Sequence, residues 1–241
     1  MARRLPCISL LLLTVTLSVS NAQAQNPEGI SNTGTASSTT QGATNDALEA
    51  QIRINDAVEI IGRMKSDPNV NGLLQDAKGI LIVPHFIKAA FIFGGRGGSG
   101  LLVVRQGDRW SDPAFYKTSG GTVGAQIGGA KGPLAMLLMS DKAVAAFENK
   151  PSTWSLSAGA GLTAANYSKE ARESGTISDV IVWSDAKGLF GGAAVGATNI
   201  AGDQRKNQAY YNRPDVTTRQ ILSGAVTNQN SNILRDALSR K

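Results

Sequence analysis

Cysteine is almost missing from this 241-residue chain: Cys7 is the only one, and it lies ahead of the first apolar run. No disulfide can staple such a chain, so an ordinary hydrophobic core must hold it together. Thiolate metal sites and a thiol nucleophile are excluded beyond that point. Histidine occurs once, as His85, and aromatic residues make up 5% of the chain. No His/Cys cluster has metal-ligand spacing, no H-E-x-x-H or calcium loop occurs, and no G-x-S-x-G marks a serine nucleophile. A serine–histidine pair through His85 is formally open. Flanked by Pro84 and apolar residues, His85 reads instead as a packed or hydrogen-bonded structural residue.

Long apolar runs are scarce as well. Ile8–Leu17 is too short to cross a bilayer. With Arg3 and Arg4 before it and Ala22-Gln23-Ala24 after it, the segment has the form of a cleaved export signal, residues 1–24. The expected mature chain starts at Gln25, and the expected location is periplasmic or secreted. Residues 25–45 are Ser/Thr/Asn/Gly-rich and read as a flexible tether. Mature net charge is 22 − 18 = +4, and residues 203–241 carry all of it, with seven basic and three acidic side chains. That excess suits an anionic surface or is a solvated basic tail.

Asp46 and Glu49 have the spacing of a capping box for a helix running to Ser66, with Ile54, Ala57, Val58, Ile61 and Met64 on one face. Such a face docks on a core more readily than on a membrane, which favours lysine and large aromatics. Asp67-Pro68 ends it. A short helical stretch near Leu73–Ala77 precedes a β-rich region. GILIVPHF, AAFIFGG, GLLVVRQ, RWSDPAFYKTSG, TVGAQIGG and GPLAMLLMS read as a meander, with Pro84 at an edge or bend. Ser140 caps a helix over DKAVAAFEN. Residues 153–165, 176–185 and 188–202 read as further strands, the polar segment 203–213 has no assigned element, and helices follow near Val216–Ser223 and Asn232–Arg240. The predicted fold is α+β: a single domain over 46–224 with a largely antiparallel, strongly bent glycine-rich sheet or partial barrel and flanking helices. A basic C-terminal helix or tail, 225–241, completes it.

Gly95-Arg96-Gly97-Gly98-Ser99-Gly100 spells G-x-G-x-x-G, a dinucleotide fingerprint only where it closes a strand and opens a helix. Leu-Leu-Val-Val follows, then a turn and another strand, so the nucleotide reading loses its context. Lys88 stands in an apolar run, where its ammonium needs water, a partner or an anion. Arg96 among glycines could take a phosphate in fork geometry. The alternative is an edge lysine and a turn arginine.

The stretch AKGILIVPHFIKAAFIFGGRGGSGLLVVRQGDRWSDPAFYKTSGGTVGAQIGG, followed by SDAKGLFGGAAVGATNIAGD, resembles the SYLF family of lipid-binding modules. The likeness runs from about Ala47 to Gly224. It implies a non-enzymatic module that binds anionic lipid, without cofactor, metal or nucleic acid. Lys88, Arg96 and Lys187 fall within the family's motifs as candidate lipid contacts. The eukaryotic members are also described as actin-binding, a role not carried over to a chain with a bacterial-type export signal. They bind lipid through a basic N-terminal helix, whereas residues 46–65 here are balanced in charge. The other function classes are an envelope interaction protein whose partner is another protein, and a hydrolase using His85.

Overall fold

The computed structural model describes residues 34–90, 93–123, 128–149, 154–155, 164–167, 178–185 and 199–239. Helix α1 (Gly34–Ser66) opens the fold and α2 (Pro68–Asp76) follows. Helix α1 begins twelve residues before Asp46, inside the segment read as a tether. Asp46 and Glu49 are therefore interior helix residues, not a cap. They face the C-terminal half of the chain instead: Asp46 meets Arg205 at 3.4 Å and Glu49 meets Lys206 at 2.8 Å. The apolar stripe docks as its periodicity requires, with Ile54, Ala57, Ile61 and Met64 fully buried. Asp67 ends α1 by capping α2, its side chain accepting from the Asn69 N–H at 2.9 Å, with Pro68 in the first turn.

Among the described residues nine strands form one sheet: β1 (Gly79–Ala90), β2 (Phe93–Gln106), β3 (Arg109–Trp110), β4 (Ala114–Val123), β5 (Gly128–Leu138), β6 (Trp154–Ser155), β7 (Ala164–Asn166), β8 (Val180–Trp183) and β9 (Asn199–Gly202). The order is β6-β9-β4-β2-β1-β5-β8-β7, with β3 paired to β2. Every pairing is antiparallel except β7 with β8, so the expected α+β architecture is the observed one. Residues 153–165 were expected as one strand, yet β6 and β7 sit at opposite edges of the sheet. Nine residue steps join Ser155 to Ala164 and reach about 31 Å at most. Eight flat strands would set those edges about 34 Å apart. The sheet must curl.

Part of the curl originates at Pro84. The β1–β2 register shifts by one residue between Ile82 and Ile87, and the β1–β5 register shifts between Val83 and Phe86. Strand β1 therefore carries one extra residue against both neighbours, a β-bulge. Pro84 is thus in a bend of a central strand and not at an edge, as its alternative placement would have it. Pro133 lies opposite the same bulge, so neither missing N–H leaves a carbonyl in a regular ladder without its donor. The glycines of β2 let backbones approach. A Cβ at Gly100 would strike the Ile82 carbonyl oxygen, one at Gly97 the Thr118 carbonyl oxygen, and one at Gly98 would lie 2.8 Å from the His85 carbonyl oxygen. The G-x-G-x-x-G run is strand throughout and opens no helix.

Helix α3 (Asp141–Asn149) is capped by Ser140, whose hydroxyl accepts from the Ala143 N–H at 3.2 Å. Helix α4 (Gln204–Tyr211) occupies the segment that received no element from sequence. Its buried face is Lys206, Asn207, Tyr210 and Tyr211, polar enough to hide the periodicity. The Asn207 carboxamide accepts from the Phe115 N–H at 2.8 Å and donates to the Phe115 carbonyl at 3.2 Å, clamping β4. Helices α5 (Thr218–Leu222) and α6 (Asn232–Ser239) close the chain. The C-terminal helix is not a free tail. Leu234 and Leu238 are buried, and Arg235 pairs with Asp112, whose side chain is 0% exposed.

Candidate anion-binding site

Strands β1, β2, β4 and β5 contain Lys88, Arg96, Arg105, Lys117 and Lys131 and not one Asp or Glu. Two of these cations have partners well away from the sheet end beyond the bulge. Arg105 lies over the Trp110 ring at 4.4 Å and donates to the Ala77 and Gln75 carbonyls, and Lys117 pairs with Asp203 at 3.1 Å. The others gather at that end.

Lys88 and Arg96 are direct cross-strand partners, so the structure brings together two of the three residues singled out from sequence. Lys187, the third, lies outside the described residues. Directly opposed side chains have Cβ atoms about 4.5–5.5 Å apart, close enough for like charges to repel. Both residues are nevertheless buried, Lys88 at 8% and Arg96 at 7% exposure. Their lateral neighbours in register are Gly120 beyond Arg96 and Ala130 beyond Lys88. The two cations are thus flanked in their own row by a glycine and an alanine.

Arg96 is poorly satisfied. One terminal nitrogen donates to the Gly121 carbonyl at a long 3.5 Å, and Nε is buried without a hydrogen-bond partner. Burial pulls its guanidinium below the ordinary arginine range. A buried polar group lacking its bond costs about 1–3 kcal/mol, and an opposed like charge adds to that. An oxyanion beside Arg96 would supply the acceptor its Nε lacks, and a guanidinium takes two oxygens of a phosphate in parallel.

His85 points to the other side of the sheet. Its Nε2 lies 3.2 Å from a carboxylate oxygen of Asp56 on α1. Ser99 lies opposite the bulge on the neighbouring strand, and its buried hydroxyl has no hydrogen-bond partner. Among the described residues no group of His, Cys, Asp and Glu could hold a metal ion.

The C-terminal positive charge is largely used inside the molecule. Lys206, its side chain 5% exposed, pairs with Glu49, Arg205 with Asp46, Arg213 with Asp215, and Arg235 with Asp112. Lys206 and its hydrogen bond hold the Glu49 carboxyl below its usual range. Lys131 was missed by motif reasoning. The signal that finds it is the absence of carboxylates from four successive strands, which is countable in the sequence.

No solved structure matches the chain. Among characterised proteins it is 36% identical over 159 residues to an SH3 domain-containing protein of Schizosaccharomyces pombe, covering 64% of this chain and 36% of that one. It is 32% identical over 160 residues to Protein YSC84 of Saccharomyces cerevisiae, covering 64% of this chain and 34% of the yeast protein. The human SH3 domain-containing YSC84-like protein 1 is 28% identical over 186 residues, 74% of this chain and 53% of the human one. The matches span about a third of the yeast proteins. The Ysc84 family model, described as Las17-binding protein actin regulator, matches residues 119–241, more than half of the sequence and including the end of β4, all of β5 and every described element after it. The chain belongs to the Ysc84 family, in keeping with its SYLF-like motifs.

Proposed function

We propose that this protein is a non-enzymatic module that binds the phosphate-bearing headgroups of anionic lipid through Lys88 and Arg96, with Lys187 as a further contact. The supporting observation is the buried cross-strand pair of like charges, flanked in its row by a glycine and an alanine, in strands without a carboxylate. No helix among the described residues is long and apolar enough to cross a membrane, so the proposed contact is peripheral. The export signal at residues 1–24 belongs to the same proposal, placing the module in the periplasm or outside the cell. Intact-mass measurement of exported material should give a chain starting at Gln25.

Sedimentation with vesicles tests the lipid reading. The protein should pellet with phosphatidylserine-containing vesicles and not with pure phosphatidylcholine, and Lys88→Gln with Arg96→Gln should abolish pelleting while circular dichroism stays native. Equal pelleting of the folded double variant would refute the site. A second reading is a protein-binding module, in line with the relatives' names. It draws on Leu48 and Ile52, one turn apart on α1 and 61% and 49% exposed. Failure to pellet with any vesicle, with binding lost on Leu48→Ser and Ile52→Ser in a partner screen, would favour it.

A further inference from the structure

A cavity of about 310 Å³ opens between the ends of α1, α2 and α6 and the β2–β3 turn, at the other end of β2 from Arg96. Leu74, Trp110 and Leu238 form its apolar wall, none of them more than 7% exposed. Lys65, Arg105 and Asp108 are its charged groups. Both cations are held by backbone carbonyls at helix ends. Lys65 Nζ donates to the Ala237 and Leu238 carbonyls of α6 at 2.5 and 3.2 Å. Arg105 Nε donates to the Ala77 carbonyl at 3.2 Å and Nη2 to the Gln75 carbonyl at 3.1 Å, both at the end of α2, while the guanidinium lies over Trp110.

Arg105 is only half used by these contacts. A guanidinium has five N–H donors, so the two bonds leave three, both of those on Nη1 among them. Among the described residues Arg105 has no ion pair and no further hydrogen bond. Carbonyls are uncharged. What offsets the arginine here is the end of α2, worth about half a unit of charge, and Asp108 in the exposed turn, where water screens it. Positive charge and unused donors therefore border a wall of buried leucine and tryptophan. Water can bond the guanidinium, but it gains nothing from the leucines.

We propose that this cavity binds a small organic carboxylate with an aromatic or short aliphatic body. The carboxylate accepts from the free edge of the Arg105 guanidinium, and the body lies against Leu74 and Leu238. One guanidinium edge matches two coplanar oxygens of a single carboxylate. The apolar wall disfavours a phosphate dianion, which would have to shed more water to enter. Arg105 is already fixed by the α2 carbonyls and by Trp110, so binding orders little more of the protein. The site is separate from the Lys88–Arg96 pair, and either assignment can fail alone.

The test adds phenylacetate, phenylacetamide or 2-phenylethylamine to the full chain and reads saturation-transfer NMR of the ligand together with Tm. Phenylacetate should bind in the millimolar range and raise Tm. The uncharged amide and the cationic amine should bind about ten-fold more weakly, the usual loss when a charged hydrogen bond goes. Asn71→Phe, which places a ring in the cavity and keeps both cations, should remove phenylacetate binding while circular dichroism stays native. Arg105→Met should remove it too, but that variant also loses the α2 bonds, so Asn71→Phe decides if it does not fold. Asp108→Asn should tighten phenylacetate about two-fold by removing a like charge from the rim. Lys88→Gln with Arg96→Gln should leave it unchanged. No binding of phenylacetate, or equal binding of all three compounds, would overturn the proposal. Weaker binding to Asp108→Asn would show that the cavity selects a cation, and loss of binding in the Lys88 and Arg96 variant would place the carboxylate at the other site.

Discussion

Arg96→Met should make the unliganded protein more stable while destroying its affinity for phosphate. Methionine retains the length and apolar stem of the arginine but removes its charge, its orphaned Nε and its long bond to Gly121. Losing a 3.5 Å contact sacrifices little. Removing a buried unsatisfied donor returns about 1–3 kcal/mol, and removing the repulsion from Lys88 returns about 0.2–1 kcal/mol. Part of that is offset by imperfect packing of the thioether, leaving a net gain of about 1–3 kcal/mol. For a domain of this size the gain corresponds to a rise in Tm of roughly 3–10 °C. Urea unfolding followed by circular dichroism at low ionic strength measures it, repeated in increasing phosphate. The wild type should gain stability with phosphate concentration, following saturation of a site present only in the folded state, and Arg96→Met should not. Destabilisation of the variant by more than about 1 kcal/mol would mean that Arg96 already has a structural counter-charge. The argument for an anion site would then fail.

Two further outcomes test the surrounding fold. Gly100→Ala should lower stability by about 3 kcal/mol, because its Cβ meets the fixed Ile82 carbonyl, whereas Gly95→Ala faces open space and should be near neutral; equal urea midpoints for the two would refute the close-approach account. Arg235→Ala should cost about 2–4 kcal/mol by leaving the buried Asp112 carboxylate with the Asn228 N–H as its one remaining bond among those described. Adding Asp112→Asn should recover part of that loss in a double-mutant cycle, and a strictly additive result would show that the pair is not coupled.

The β-rich region, α3 and the last two helices were legible because local rules decide them: alternation or β-branched runs, Ser140, and Thr217 with Gln220. The runs expected at 79–86 and 89–95 regroup into the long strands β1 and β2, and Asp67-Pro68, read as the end of α1, also opens α2 five residues ahead of the stretch expected near Leu73–Ala77. What was hidden depended on contacts far apart in sequence. Helix α4 buries Lys206 and Asn207, whose partners are Glu49 on α1 and the Phe115 backbone on β4, so no apolar stripe announces it. The start of α1 was hidden for a related reason. Ser, Thr and Gly have low helix propensity, and the helical state of residues 34–45 runs against that local preference. Asp46 and Glu49 have cap chemistry, yet each has a basic partner on α4, and in the fold they serve as pairing residues.

The site was legible to a different degree. Lys88 and Arg96 stood out as costly residues in apolar or glycine-rich surroundings, but spacing alone could not bring them together. Their meeting depends on register, and register here depends on the bulge. If all of β1 ran through Pro84-His85 in a regular ladder, the pairing that joins Ile82 to Leu101 would place Ile87 opposite Arg96 and Lys88 opposite Gly95. Arg96 would then share its face with Ile87, while Lys88 projected from the other side. The bulge takes up one residue of β1 and so leaves both cations on the same face and in direct opposition. The proline that looked like a strand-breaker thus sits where the register is set. Deleting His85 leaves four steps on each strand between the Ile82–Leu101 and Ile87–Gly97 pairs, so the bulge should close, Lys88 should stay opposite Arg96, and phosphate-dependent stabilisation should persist. Loss of that stabilisation in a folded deletion variant would show that the pair depends on the bend as well as on the register.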